Sequence, residues 1–368
     1  MLNILFLEPF YGGSHRDFTD GLIRHSRHHY TLQTLPDRFW KWRMRGAALH
    51  FSRAVTDWEE YDLILMSDLM SASDLKALVG LPLPPMVVYF HESQLSYPLP
   101  PGERMDYQFG FTDITSGLVA DHLIFNSRFH FDSFFAELPR FIRRMPEHRP
   151  GWAADEIRAK SSVIYPGTEL ATLADAGLED PAPDEPPLIL WNHRWEFDKD
   201  PETFFRVLGR LDDGGYRFNL ALLGENFQAV PKPFIAARER YGKRILVDGF
   251  RESREEYLSW LKRSDIVVSC AIQENFGLSV VEAVAAGAYP LLPNRLSYPE
   301  LVPEQLHADH LYRDEEELSL KLAHLLDQPR KPAAALKAAY MKHDWAGRVT
   351  EYDEFFEEAA SGAHERWV

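Results

Sequence analysis

Short apolar runs alternate with segments of helix length along the whole 368-residue chain, and this alternation narrows the fold more than any other feature. In the first half the runs are LNILFLE (2–8), YTLQTL (30–35), DLILMS (62–67), MVVYFH (86–91), HLIFNS (122–127) and SSVIYP (161–166). They are nearly continuous rather than alternating in polarity, as strands covered on both faces must be. Strands of that kind separated by helices belong to parallel α/β domains. A second series reads LILWNH (188–193), FNLALLG (218–224), RILVDGF (244–250), DIVVSCA (265–271) and AYPLLP (288–293). Helical stretches at 314–326, 332–343 and 346–360 close the chain. One hydrophobic core fills up at roughly 250–300 residues, so two domains are expected. The expected fold is α/β, with two doubly wound, Rossmann-like domains facing a cleft. Residues 1–170 form the first domain, 171–187 an acidic, Pro- and Ala-rich linker, 188–345 the second domain, and 346–368 a C-terminal helix and tail free to pack back on the first domain.

Composition removes several classes of function. The single cysteine, Cys270, excludes an intrachain disulfide and a Cys-rich zinc site. No apolar run approaches the ~20 residues that span a bilayer. The opening LNILFL meets Glu8 at once and reads as a strand rather than a signal peptide. A cytoplasmic protein without a membrane partner is expected. The net charge of −16 argues against a generally basic protein that coats nucleic acid. Residues 1–170 are nearer neutrality, with 17 Lys+Arg against 21 Asp+Glu, and hold local basic clusters.

The sharpest chemical signal runs from Glu274 to Glu282, where DIVVSCA leads into IQENFGLSVVEAVAAGAYP. A strand, a tight loop and a helix beginning near Phe276–Gly277 follow one another. A helix N-terminus carries unpaired N–H groups and about half a positive charge, which suits a phosphate. Gly277 allows backbone to approach a ligand closely. Glu274 in the loop and Glu282 on the helix would repel a diphosphate, but ionised carboxylates accept hydrogen bonds from hydroxyls. Two polyols flanking a diphosphate describe a nucleotide-sugar. The first strand of the second domain ends in WNHRWEFDKDPETFF, where Arg194 and Lys199 can neutralise a departing diphosphate; an isolated pair of loop cations is more often plain surface charge.

The string E-N-F-G-L-S-V-V-E resembles the E-x7-E signature of retaining glycosyltransferases of the GT-B fold, family 4 type. The resemblance implies that Glu274 binds donor-sugar hydroxyls and Glu282 the nucleotide ribose. It also implies that the backbone at Asn275, Phe276 and Gly277 holds sugar and phosphate, and that Arg194 and Lys199 clamp the diphosphate. In the first domain, Gly12 and Gly13 form a glycine turn capped by Ser14 that can bring N–H groups to the donor phosphate. His91 and Glu92 stand at a strand's carboxyl end, where an imidazole can bond the sugar or move a proton. Family 4 enzymes place a histidine there, so His91 joins Glu274, Arg194 and Lys199 as a catalytic candidate. His15 either faces the cleft or lies on the first helical turn. Asn126 and Arg128 end another strand, as acceptor contacts or as a helix cap and an exposed cation.

A more particular set of strings, EPFYGGSH, FWKWRMRGAALHF, YFHESQLSYP, FNSRFH, NHRWEFDKDPETFF and LPNRLSYPELVP, resembles the branch of that family that mannosylates queuosine in the anticodon of tRNA-Asp. It departs at Ser93, where Asn is expected. The resemblance implies GDP-mannose as donor and queuosine-containing tRNA-Asp as acceptor, with no metal or further cofactor; spacing shows no metal-ligand cluster. The residues themselves offer RNA chemistry. Arg38, Lys41, Arg43, Arg45 and Arg53 occur without an acid from 38 to 56, interleaved with Phe39, Trp40, Trp42 and Phe51. Cations for phosphates and rings for unstacked bases suit an RNA loop, while an amphipathic segment plugging the core has the same pattern. Arg140, Arg143, Arg144 and Arg149 form a second cluster. The rival readings are a family 4 enzyme with a lipid or glycan acceptor, and a binding protein without turnover.

Overall fold

The computed structural model describes the chain except residues 81, 101, 175–184, 226–229 and 363–368. Most of the expected linker 171–187 therefore lies outside the described residues, after a short helix Ala171–Ala174. The chain forms two compact units. Residues 1–168 and the stretch from 344 onward make the first, and residues 169–343 the second.

The first unit holds a six-stranded sheet of β1 (Asn3–Tyr11), β2 (His29–Pro36), β3 (Leu63–Ser67), β4 (Met86–Phe90), β5 (His122–Phe125) and β6 (Ser161–Val163). Its order is β2-β1-β3-β4-β5-β6, with every pair parallel. Each strand sends alternate residues to opposite faces. Leu5, Leu7, Ile64, Met66, Val88 and Phe90 join one core, while Ile4, Phe6, Leu63, Leu65, Val87 and Tyr89 join another. Burial on both faces is why these strands are continuously apolar.

The second core is closed by two helices from opposite ends of the sequence, Gly13–His25 and Trp345–Ser361. The C-terminal helix is thus part of the first unit. Arg27 pairs with Glu357 at 2.8 Å, the Arg27 N–H donates to Asp353 at 3.1 Å, and the Tyr352 hydroxyl donates to the Ile164 carbonyl at 3.2 Å. The Trp345 indole, 1% exposed, fills the space that two glycines leave. A Cβ on Gly21 would stand 1.9 Å from its Nε1, and one on Gly167 would stand 2.3 Å from its Cδ2.

The second unit repeats the architecture with β7 (Leu188–Asn192), β8 (Asn219–Leu223), β9 (Ile245–Gly249), β10 (Ile266–Val268), β11 (Tyr289–Pro293) and β12 (Leu311–Tyr312). The order is β12-β11-β10-β7-β8-β9, again parallel. The two-residue β12 has no counterpart among the apolar runs. Among the described residues no helix is long and apolar enough to cross a membrane.

Truncating Trp345 removes the piece that locks the C-terminal helix to the sheet. Trp345→Ala is expected to destabilise the first unit by about 3–5 kcal/mol, read as a lower urea midpoint.

Candidate active site

In an open parallel sheet, the loops leaving two neighbouring strands diverge where the strand order reverses, and a crevice opens at the carboxyl ends. In the second unit that point lies between β7 and β10. Both loops there carry residues singled out in the sequence.

Lys199, on the 3-10 turn Phe197–Lys199 after β7, reaches the loop after β10. Its Nζ donates to the Gln273 carbonyl at 2.7 Å and lies 3.3 Å from Glu274 Oε2 and 3.2 Å from Asp198 Oδ2. The lysine is buried and Asp198 fully so. Burial by itself lowers an ammonium pKa, but Glu274 and Asp198 outweigh it and hold Lys199 above the ordinary lysine value. The expected cation pair is therefore divided. Lys199 is committed to Glu274 and Asp198, whereas Arg194 is exposed and lies 3.3 Å from Glu196.

The loop's carbonyls are held from behind. Asp198 O accepts the N–H groups of Ile272 and Gln273 at 2.8 and 3.2 Å. The Arg295 guanidinium donates to Cys270 O at 3.1 Å and Ala271 O at 3.0 Å, and the Ser297 hydroxyl to Phe276 O at 3.0 Å. Asn275 accepts from the Gln273 amide at 3.0 Å, and Phe276 packs edge-on against His343, so both side chains face inward. Gly277 ends the loop at φ 97°, a conformation that strains any side chain. It caps the helix Leu278–Ala285 without a side-chain cap bond of its own. The geometry for an anion is present there.

Glu282, on that helix, is buried and gripped from the helix Arg254–Arg263. The Tyr257 hydroxyl donates to Oε2 at 2.8 Å, and Arg254 pairs with Oε1 while lying over the Tyr257 ring. Burial and the Glu282 charge push the Tyr257 pKa far up, so the phenol stays a donor. His193, after β7, stands 3.3 Å from the Ser279 hydroxyl. Burial, reinforced by Lys199, pushes its pKa down to about 4 and keeps it neutral.

In the first unit the order reverses between β1 and β3. Glu8 on β1 is fully buried, and its Oε1 accepts from the Phe10 N–H at 2.8 Å and the Ser67 hydroxyl at 3.0 Å. The same oxygen lies 3.3 Å from His15 Nδ1. His15 is on the first turn of its helix and stacks on His91 with centroids 3.8 Å apart. Burial, with His15 and His130 nearby, holds His91 well below the ordinary histidine pKa. Glu8, His15 and His91 bring ligand-type atoms within 4.8 Å of one another, a grouping of metal-ligand types that spacing did not reveal. The two imidazoles share a face, which is a stacking arrangement rather than convergence on a point.

Two expectations change here. Ser14 is exposed and does not cap its helix; the cap is Gly12, extended at φ −170° with no side-chain bond, followed by Gly13 at φ 50°. Gly12 is required because a Cβ would fall 1.9 Å from the Asp37 carboxylate. Asn126 is buried, its amide donating to His91 O at 2.9 Å and its oxygen 2.8 Å from His130 Nδ1. It supports the end of β4 instead of facing an acceptor. Ser127 caps the next helix through the His130 N–H, and Arg128 lies over the Phe131 ring. Glu92 accepts from the Gln94 amide at 3.0 Å.

Most of the basic segment forms one helix, Trp40–Ala54, with a buried face and an exposed one. Met44, Ala47, Ala48 and Phe51 are buried, while Trp42 is 77% and Phe39 68% exposed. Arg38, Lys41 and Arg45 are exposed, and Arg43 donates to the Pro36 carbonyl at 3.2 Å. Arg143 and Arg144 are exposed at the end of the helix Arg128–Arg143.

Comparison with known proteins agrees with this architecture. A family described as tRNA-queuosine alpha-mannosyltransferase N-terminal matches residues 3–168, and glycosyl transferases group 1 matches residues 179–342. A Drosophila melanogaster tRNA-queuosine alpha-mannosyltransferase is 34% identical over 336 residues, 89% of this chain and 88% of that protein. Among solved structures, sucrose-phosphate synthase from Thermosynechococcus elongatus superposes with a TM-score of 0.73 at 15% identity, over 98% of this chain and 100% of that one. Anabaena HepE in complex with UDP gives 0.66 at 15% identity, over the same shares. The fold is that of the GT-B glycosyltransferases, and the chain is a glycosyltransferase. It belongs to the tRNA-queuosine alpha-mannosyltransferase family.

Asp113 generates a pH prediction. It accepts from the Ser93 hydroxyl at 3.0 Å and the Gln94 N–H at 2.9 Å, and so holds the turn after His91. Burial pushes its carboxyl from 3.8 up to about 7, with Glu92 adding to the rise. Its contribution is complete below the unfolded value and lost as pH rises through about 7. Asp113→Asn keeps an acceptor for both bonds without the titration. Wild type is therefore expected to lose stability relative to this variant between pH 5 and pH 8, measured by urea unfolding.

Proposed function

We propose that this protein transfers mannose from GDP-mannose, with retention of configuration, to a cyclopentene hydroxyl of queuosine in the anticodon loop of tRNA-Asp. The observation that carries the reading is the placement of Glu274 beside Lys199, in the loop that leads to the helix start at Gly277. A carboxylate fixed there accepts hydrogen bonds from sugar hydroxyls, while the helix start takes the diphosphate. Arg194, exposed on the neighbouring loop, adds charge as the leaving group departs. Glu282 takes the ribose hydroxyls, oriented by Tyr257 and Arg254. The family of the N-terminal match and the activity named for the Drosophila relative support mannose, queuosine and tRNA. A cytoplasmic reaction belongs to the same proposal.

In the transfer, the acceptor oxygen bonds to the sugar's anomeric carbon as the bond to the donor phosphate breaks. The acceptor proton passes to a phosphate oxygen of the departing GDP, on the same face, which accounts for retention without a protein nucleophile. His15, Glu92, Arg128, the exposed cations Arg38, Lys41 and Arg45, and the half-buried Arg43 serve the acceptor. No metal enters this scheme.

Glu274→Ala is expected to lower the turnover of queuosine-containing tRNA by about 100-fold or more, with tRNA binding unchanged. Transfer at the wild-type rate would refute the assignment. Tyr257→Phe removes a hydroxyl donor to Glu282. A rise of about 5–10-fold in the GDP-mannose KM is expected, with little change in kcat.

A further inference from the structure

The two basic clusters, 38–53 and 140–149, are about a hundred residues apart in sequence. One helix, Tyr107–Val119, joins them in the first unit. On one flank, Trp40 packs on Phe109 with centroids 5.1 Å apart, and Arg45 donates to the Thr112 hydroxyl at 3.3 Å. On the other flank, Phe141 lies 6.0 Å from Tyr107 and 5.1 Å from Phe111, ring to ring. Gly110 permits that approach, because a Cβ there would stand 2.6 Å from the Phe141 ring. The Arg144 guanidinium reaches the Met105 sulfur just before the helix begins.

The outward face of this central helix is aromatic. Tyr107 is 52% and Phe111 39% exposed, at a spacing of four that places one ring above the other. Trp42, the most exposed ring in this region, stands on the neighbouring helix, three residues before Arg45. Two acids beside these helices are engaged: Asp106 caps the central helix through the Gln108 N–H at 3.0 Å, and Glu137 pairs with Arg140.

We propose that these three helices form one RNA-docking face, on which Trp42, Tyr107 and Phe111 stack unpaired bases while Arg45, Arg143 and Arg144 hold phosphates. The proposal rests on the tRNA reading above and deepens it by naming the surface. Rings flanked by guanidinium groups fit single-stranded loops, whose bases offer a π-face and whose backbone is anionic. In a chain of net charge −16, such a patch confines RNA to one face instead of drawing it to the whole surface. A lipid surface is the rival occupant, because exposed Trp and Phe among cations also suit a membrane interface; the tRNA reading above favours RNA, and the vesicle arm of the test separates the two.

The test uses full-length protein with Trp42→Ala, Phe111→Ala and the double variant Arg143→Ala/Arg144→Ala. Gel shift with queuosine-containing tRNA-Asp is run across a salt series, with flotation on vesicles of phosphatidylserine and phosphatidylcholine. GDP-mannose titration and circular dichroism confirm an intact fold. Each ring variant is expected to weaken tRNA binding by roughly 5- to 100-fold. The arginine variant should flatten the slope of log affinity against log salt by about 1.4, two contacts at ~0.7 each. Donor binding stays at the wild-type value. If wild type binds this tRNA and all three variants match it, the face is wrong while the tRNA reading stands. If wild type binds no tRNA, that reading falls and this one with it. Vesicle binding abolished by Trp42→Ala, with tRNA binding unchanged, would also overturn the proposal.

Discussion

An ammonium group buried against two carboxylates organises the second unit. Lys199 lies between Asp198 and Glu274, and through them it ties the loop after β7 to the loop after β10. Removing one member of such a cluster leaves uncompensated charge in a place water does not reach, so the arrangement has little freedom to relax. The consequences run outward. The Asp198 carbonyl receives the first N–H groups of the Glu274 loop, Arg295 and Ser297 hold its carbonyls, and Gly277 turns it into the helix that carries Glu282. Glu274, the helix start at Gly277 and Glu282 are thereby set at fixed spacing before a ligand arrives. Preorganisation of this kind places polar groups without a reorganisation cost at the moment of reaction.

The first unit uses burial differently. Its central polar groups are kept neutral or locally satisfied. His91 is held uncharged by desolvation, and Asp113 is pushed toward its neutral form while accepting two hydrogen bonds. Glu8 binds the turn of its own strand and the hydroxyl of Ser67. The charge of this unit is instead carried at its surface, beside aromatic rings that a self-contained fold would have no reason to expose.

The strands were legible because a strand covered on both faces leaves nearly continuous apolar residues. All eleven apolar runs match β1 to β11 within a few residues, whereas β12 is too short to leave such a trace. Glu274, Gly277 and Glu282 were legible because loop, glycine and helix start are contiguous. Ser14 was read as a cap because serine usually takes that position. The close approach of Asp37, which dictates Gly12 there, comes from a distant strand end. Glu8 looked like the end of an apolar run, and Asn126 like an acceptor contact, until the neighbouring strand ends supplied their partners. Arg254, Tyr257, His193, Arg295 and Ser297 carry no local signal; each matters through a residue at least 15 positions away, as Tyr257 does through Glu282.

The sequence by itself determined the parallel α/β class, the repeat of that class along the chain, and the chemistry carried by contiguous segments. Hydrophobic period, positive φ at glycine and exposed N–H groups at a helix start are properties of neighbours along the backbone. Only the tertiary structure decided that Lys199 serves Glu274 rather than standing free, that Trp345–Ser361 closes the first sheet, and that two basic clusters flank one helix. Those partnerships join residues that strand order and helix packing bring together, and composition holds no record of which pairs will meet.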